Sequence, residues 1–501
     1  MREIDDMRKF ANFRPFPFFS ASLITGILLS LLLLSGKGMI IGIIFICFAV
    51  FAFIIHTVKK SVHVTVFCLA GILFLLVGIV SGTLCIERNF RCLSEGKTTD
   101  CQIRGKVVGA YCFRDGDVSV YQIEKPTLNG KSSATDMSVI AKGNELEIGD
   151  LVAFKADVEP IGKEKWASVL RENCGLICTY YGEFEIVDTR KNFFETINLK
   201  IKDVTFENLG EESGVCYALL TGNVNYIDGG QYENIKLSGA SHVFAVSGMH
   251  ITFIVLMLDL AFRLLSIKRA QKATLVTLCS FLYAGVCGFT ASAMRAVIMS
   301  AVALYAGAFG KKRDNLNVIA LSAIIVLLIN PMDLLSLGFQ LSYACILSIE
   351  LFFPTFKKLF SFMPDGINYS VSTCFAVFFG TTPLLCYNFG SFSVVTILLN
   401  LLLIPFITVF FAVLWFSVIL VFIVPPLSGV LKLSEIIGKF FSETFALVSF
   451  DKFILNLSPN IVTLAFYYLV AVFASEKVNV PNRVRTLSAT VPFPLFLLIC
   501  L

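Results

Sequence analysis

Ser247 and His250 are the residues whose types and spacing could do chemistry together. They lie in the run His242-Val-Phe-Ala-Val-Ser-Gly-Met-His-Ile-Thr-Phe-Ile-Val, a Ser-Gly-Met-His cluster inside an otherwise apolar stretch. Three positions apart on a helix, they share one face. A hydroxyl beside an imidazole can act as nucleophile and base in an intramembrane hydrolase. Such an enzyme also needs an oxyanion site and often a third, orienting group, and no further hydrolase element accompanies the pair. The competing reading starts from cost. An ionisable ring and a hydroxyl at membrane depth are unfavourable unless they face a partner or a water-filled space, so the pair is expected to line something.

Other polar residues inside apolar runs divide in the same way. Arg295, in Ala291-Ser-Ala-Met-Arg-Ala, lies near a span boundary from which it could snorkel, yet its small neighbours permit close helix packing or a cavity. Gln340 and Ser342, in Gly338-Phe-Gln-Leu-Ser-Tyr, have the character of interhelical hydrogen-bonding groups. Asp259 and Arg263, four apart, are expected to form a local ion pair of structural character. The four histidines, His56, His63, His242 and His250, do not form the His/Asp cluster of a di-metal hydrolase, so no metal and no cofactor is expected. No phosphate-binding P-loop is evident, and a motor, if one is needed, should be a separate ATPase.

The elements that must position these residues are membrane helices. Hydrophobic residues make up 56% of the 501, charged residues 15%, and the formal net charge is +5. The mean hydropathy of +0.79 exceeds what a soluble core requires. Lys and Arg gather at segment ends, which reads as orientation signals rather than as a nucleic-acid patch. Arg8, Lys9 and Arg14 precede the first apolar run and Lys59 and Lys60 separate the second and third, at 17–35, 39–56 and 63–85. The N-terminus is therefore expected in the cytoplasm and the polar region from 90 to 240 outside it. Later runs at 242–265, 273–290, 292–310, 316–330, 335–354, 370–388, 396–424, 434–450 and 459–474 alternate without conflict among the basic clusters. The run 396–424 holds Asn400 and Pro405 and predicts a broken or strongly tilted helix. The fold class is a polytopic α-helical membrane protein of about 11 to 12 spans carrying an inserted extracytoplasmic small β-barrel.

Within the polar region, 102–110, 118–124, 137–142, 151–158 and 176–187 are short β-branched or alternating runs between turn residues. Five strands suit a small barrel of the oligonucleotide-binding (OB-like) kind. Residues 98–190 hold eleven Lys and Arg against fifteen Asp and Glu, which argues against tight nucleic-acid binding and leaves a structural or gating barrel open. Cys92, Cys101, Cys112, Cys174 and Cys178 fall in this region, where disulfides are possible and connectivity is not readable. Phe194, Ile197, Ile201 and Val204 then recur at helical spacing, predicting an amphipathic helix on the membrane surface or on the bundle. Leu220-Thr-Gly-Asn-Val-Asn-Tyr-Ile-Asp-Gly-Gly reads as a turn-rich loop at the mouth of the membrane domain. The expected domains are 1–90, N-terminal helices; 91–190, the barrel; 191–228, amphipathic helix and loop; 229–475, the channel-type helices; and 476–501, a cytoplasmic turn and a short apolar segment.

Leu220-Thr-Gly-Asn, Ser241-His-Val-Phe-Ala-Val-Ser-Gly-Met-His, Ser292-Ala-Met-Arg-Ala, Gly338-Phe-Gln-Leu-Ser-Tyr, Gly380-Thr-Thr-Pro-Leu and Asn400-Leu-Leu-Leu-Ile-Pro come in an order that resembles the ComEC family of bacterial competence proteins. The N-terminal hairpin and five-stranded region are also similar to that family's OB-like domain. The resemblance implies a multi-pass channel in the bacterial cell membrane that passes transforming DNA inward as a single strand. Its implied partners are single-stranded DNA, the lipid bilayer and a separate DNA receptor, nuclease and cytoplasmic ATPase, with the oligomeric state open. Ser247, Gly248, His250, Arg295, Gln340 and Ser342 match its motifs and become candidates for the DNA path or its frame. Many members continue into a metallo-β-lactamase-like domain, whereas this chain stops at Leu501 after an apolar run. The nuclease is then expected to be another protein, the chain itself not an enzyme, or else the chain is a truncated relative. A small-solute or envelope-component transporter and an intramembrane serine hydrolase stand as alternatives to the DNA channel.

Overall fold

The computed structural model of the protein describes residues 15–34, 62–93, 98–112, 118–133, 135–142, 146–161, 174–180, 182–189, 191–244, 246–263, 267–311, 314–393, 395–448, 454–475 and 481–500. The expected span at 39–56, the orienting Arg8, Lys9, Arg14, Lys59 and Lys60, and the side chains of Cys92, Cys112 and Asn400 lie outside them. In chain order the helices begin with α1 (Pro15–Leu34) and α2 (Val62–Leu93). The strands β1 (Thr98–Cys112), β2 (Val118–Leu128), β3 (Asp136–Lys142), β4 (Leu151–Pro160), β5 (Cys174–Tyr180) and β6 (Glu185–Asp188) follow. Then come α3 (Phe193–Asn208), α4 (Ser213–Thr221), α5 (Gly229–Leu237), α6 (Ser241–Phe244), α7 (Gly248–Arg263), α8 (Arg269–Val286), α9 (Ala291–Ala308) and α10 (Asn315–Ile329). The remainder is α11 (Leu337–Leu359), α12 (Asp365–Phe389), α13 (Val395–Ile423), α14 (Leu431–Val448), α15 (Ile461–Ala471), α16 (Asn482–Thr490) and α17 (Pro492–Cys500). The chain divides into two compact units, Met1–Asn192 with Val302–Phe339 and Phe193–Ala301 with Gln340–Leu501.

In the first unit α1 and α2 pack along each other through Leu23, Ile27 and Leu75, and Phe18 stacks on Phe67 at 4.9 Å. The few hydroxyls of α1 return to its own backbone: Ser22 donates to Phe18 O at 3.0 Å and Ser30 to Ile27 O at 2.6 Å. That keeps polar atoms satisfied where no water reaches. The strands close into a barrel in the order β1-β2-β3-β5-β4 and back to β1, with β6 added along β4. Every ladder is antiparallel except β3 with β5, where Met137 faces Leu176. Alternation fills the interior: Ile103 and Val107, Tyr121 and Ile123, Met137 and Val139, Val152 and Phe154 are all buried. The expected strand at 176–187 is two strands, because the chain turns after Tyr180, whose hydroxyl closes on Glu183 O at 2.7 Å. Cys101, Cys174 and Cys178 are buried, and burial pushes the Cys178 thiol up to about 11.

The core of the second unit gathers α4, α7, α8, α9, α13 and α14. The apolar stripe of α3 rests on that core: Ile201 is buried in it and Phe194, Ile197 and Val204 pack against it, so of the two surfaces open to this helix it takes the bundle. Asn198 on the same helix accepts from the Tyr217 hydroxyl and donates to Val286 O at 2.8 Å, tying α3 to α4 and α8. The turn-rich segment after α4 is built as its residues imply. Gly222 terminates α4 with φ +80, and Asp228 caps α5 through Gly230 N at 2.9 Å. Glu212 joins α5 and α14, accepting from Gln231 at 3.3 Å and from Ser442 at 2.6 Å, and burial pushes its carboxyl above the usual range.

Among the described residues five helices are long and apolar enough to cross a membrane: Leu69–Glu87, Ala291–Ala308, Leu337–Leu359, Asp365–Phe389 and Pro405–Ile423. Pro15–Leu31, Asn315–Ile329 and Ile461–Ala474 are shorter apolar helices. The expected segment at 242–265 yields the 16-residue α7, about 24 Å at 1.5 Å per residue, and α14 carries Lys432, Glu435, Lys439 and Glu443. The break expected near Pro405 does not occur, and α13 runs as one 29-residue helix through it. Pro383 is also inside a helix, and there the compensation is visible. A proline at 383 frees the carbonyl of Phe379, and the Tyr467 hydroxyl of α15 donates to it at 2.6 Å while Tyr468 donates to Gly380 O at 2.7 Å. A Cβ at Gly380 would overlap Ser348 Oγ of α11, so the glycine of that motif permits close helix approach.

Candidate functional site

Ser247 stands immediately before α7 and behaves as its cap. Its Oγ accepts from Met249 N at 3.2 Å, and its own N–H donates to His250 Nδ1 at 3.1 Å. This is the reciprocal arrangement of a capping box, with the imidazole in the place of the usual Glu or Gln. Ser247 Oγ is also 3.1 Å from His250 Nδ1. A backbone N–H can only donate, so Nδ1 accepts and the neutral ring carries its proton on Nε2. His250 is 1% exposed, its ring meets Phe411 of α13 edge-on at 4.6 Å, and Nε2 has no hydrogen-bond partner among the described residues. For a catalytic base the arrangement is poor. The nitrogen that would take a serine proton is already engaged by that serine's amide, and among the described residues no acceptor orients the other side of the ring.

Arg295 reaches the same cap from α9. Its guanidinium lies against Gly248, the first residue of α7, where a Cβ would stand 3.3 Å from Nη2. Nη1 donates to Ser342 O at 2.8 Å, and the Tyr343 ring lies 5.7 Å from the guanidinium carbon. The side chain is 5% exposed, Nε makes no hydrogen bond, and among the described residues no carboxylate forms an ion pair with it. Burial excludes snorkelling. Ser342 bonds back across the helices, its Oγ 3.1 Å from Ser292 Oγ, which fits the expected role of interhelical glue.

Ser247, Gly248, His250, Arg295 and Ser342, from three helices and a cap, therefore form one cluster. Gln340 begins the second chain segment of this unit, half-buried and two residues before Ser342. Three neighbours escaped the sequence reading: Tyr343, Phe411, and Thr408, whose hydroxyl donates to Met249 Sδ at 3.0 Å. Tyr343 had a signal, since it closes the Gly338-Phe-Gln-Leu-Ser-Tyr motif; Phe411 lies in a continuous apolar run that offers none. Asp259 and Arg263 pair at 2.9 Å, and Lys272 joins them at 2.7 Å from the start of α8. Among the described residues no group of three or more His, Cys, Asp or Glu side chains is placed to hold a metal.

A family model described as competence protein matches residues 219–477, the stretch from the end of α4 to just past α15 that contains the whole cluster. ComE operon protein 3 of Bacillus subtilis (strain 168) is 28% identical over 336 residues, covering 62% of this chain and 41% of the relative. The match thus spans less than half of that relative's length. No solved structure matches the chain. With the match covering more than half of the 501 residues and every motif of the cluster inside it, the chain belongs to the competence protein family.

Proposed function

We propose that the protein is a membrane channel through which a single strand of transforming DNA enters the bacterial cytoplasm. The observation that carries this reading is the convergence of a buried guanidinium with no carboxylate partner among the described residues, a helix N-terminus and a capping serine within the family-matched region. A strand with one negative charge per nucleotide cannot cross hydrocarbon, so its path must be wet and lined with polar groups or backbone dipoles. The membrane helices offer chiefly Ser, Thr, Asn and Gln with few cations, a composition that favours passage over trapping of a polyanion.

Ser247, Gly248, His250, Arg295, Gln340 and Ser342 are assigned to that path or its frame. In this reading the chain is a conduit and not a hydrolase, since helix capping accounts for the Ser247 to His250 contact. The N-terminus is cytoplasmic and the barrel, acidic on balance, is an extracytoplasmic guide or gate rather than a tight DNA holder. The test is strand-resolved uptake of labelled DNA in a deletion strain complemented with the chain. Loss of cytoplasmic label on deletion is expected, and unchanged entry removes the proposal. A membrane-impermeant thiol reagent on a Lys131→Cys variant reports the side of the barrel, and labelling of intact cells is the expected result.

A further inference from the structure

We propose that Arg295 and the N-terminus of α7 form a binding site for a single phosphodiester group of the passing strand, a point at which the DNA backbone is registered. This rests on the DNA-path reading and specifies the chemistry of one station on it.

The first observation is the state of Arg295. A guanidinium that is 5% exposed has lost its water, and burial of a charge is costly unless it is paired and fully hydrogen-bonded. Here it has one carbonyl, an aromatic face and no carboxylate among the described residues, and Nε is left with no partner. Three of the five guanidinium N–H groups lie on Nε and Nη2, the edge that matches a phosphate by geometry.

The second observation is what that side chain is placed against. α7 has 16 residues, and the positive end of its dipole begins at Gly248, the residue Nη2 touches. A cation there meets the end of the helix that repels it and favours anions. Two positive groups held together with no carboxylate paired to them among the described residues make sense as a site that an anion completes. The Ser247 cap engages Met249 N, and among the described residues the amides of Gly248 and His250 have no side-chain cap. Glycine at 248 lets the guanidinium lie close to the helix terminus, since a Cβ there would stand 3.3 Å from Nη2.

A phosphodiester fits better than a carboxylate ligand of fixed shape, because one phosphate bears a single charge and two free oxygens, one for the guanidinium and one for the helix amides. A single such contact on an otherwise weakly cationic route would bind each phosphate briefly and release it to the next.

The test uses the full-length chain in phosphatidylcholine nanodiscs with a fluorescent oligothymidylate of 20 nucleotides, its affinity measured across a salt series. Arg295→Gln is expected to weaken binding roughly tenfold and to lower the salt slope by about 0.7, the share of one phosphate contact on a single strand. Arg295→Lys should keep the slope. Gly248→Val, which keeps the charge and fills the cradle, should weaken binding in the same direction and serves if the Gln variant does not fold. Wild-type binding with an unchanged slope and affinity in both Arg295→Gln and Gly248→Val overturns the site while the DNA-path reading stands. Failure of the wild-type chain to bind the oligonucleotide overturns both. In discs containing phosphatidylglycerol, an Arg295→Gln effect confined to lipid dependence, with oligonucleotide binding intact, assigns the site to a lipid phosphate and overturns its assignment to DNA.

Discussion

Gly248 and Arg295 face each other across two helices, and a Cβ at 248 would stand 3.3 Å from the guanidinium Nη2. That spacing is tight but compressible, because Nη2 is the far end of a flexible side chain. Gly248→Ala should therefore fold normally and shift the guanidinium by a few tenths of an ångström. A branched residue displaces it outright. Transformation frequency should fall a few-fold for Ala and roughly tenfold or more for Val, the worth of one charge-assisted hydrogen bond. Thermal melting should change little for Ala and fall for Val, which breaks the Arg295 bond to the Ser342 carbonyl. Equal transformation in all three chains would show that this contact has no part in uptake.

Ser247→Ala separates the cap from the nucleophile. Removing Oγ deprives Met249 N of its acceptor, a loss of about 1 kcal/mol by the usual cost of an N-cap serine. The Ser247 N–H to His250 bond survives, since it is made by the backbone. Melting temperature should drop slightly, and DNA uptake should remain within about threefold of wild type, in line with a stability loss of that size. Abolished uptake with an unaltered melting temperature would restore the nucleophilic reading.

Tyr467→Phe tests how α12 continues through Pro383. The Phe379 carbonyl has no helical donor, because residue 383 has no N–H, and the Tyr467 hydroxyl at 2.6 Å replaces it. Without it a buried acceptor is stranded at a cost of about 1 to 3 kcal/mol. Tyr468→Phe should cost less, because the Gly380 carbonyl it serves precedes Leu384, which carries an N–H. Melting of the detergent-solubilised chain should rank wild type above Tyr468→Phe and both above Tyr467→Phe. The reverse order would mean that the hydroxyls are not compensating for the proline.

The helical membrane character was legible from long apolar runs, and the barrel from alternation. Alternation in Tyr121 and Ile123 or Val152 and Phe154 marks strands whose partners a closed barrel then dictates. The cluster was legible only as separate anomalies: Ser247 and His250 in one run, Arg295 in another, Ser342 in a third. Nothing in the spacing says that Arg295 would turn inward, since snorkelling was equally compatible with its place near a span boundary. Its burial depends on Gly248 and on a carbonyl 47 residues downstream, a tertiary fact. Pro405 was open to a break or a strong tilt, and the unbroken α13 excludes only the break. A proline in a helix is a break only if its freed carbonyl finds no donor and its ring no room, and those conditions lie in neighbouring helices.

Asp333 supplies a pH dependence whose direction can be fixed. It lies in the short helical turn Pro331–Leu335 between α10 and α11, where burial pushes its carboxyl up to about 6 against partial relief from the Asn330 side-chain amide, which donates to it at 2.7 Å. An acid that is harder to ionise in the folded turn than in an open chain binds more protons when folded. Stability of the turn is therefore highest below the ordinary value of 3.8, falls as pH rises from there through about 6, and is level above. The Ser336 amide, which donates to Asp333 O at 2.9 Å, reports this locally. Its hydrogen-exchange protection, corrected for intrinsic rate, should decline between about pH 4 and pH 7, and Asp333→Asn should flatten the profile by removing the ionisation while keeping an acceptor for Asn330. Protection that rises over that interval would mean that the folded turn favours the carboxylate, and the assigned balance between burial and the Asn330 bond would be reversed.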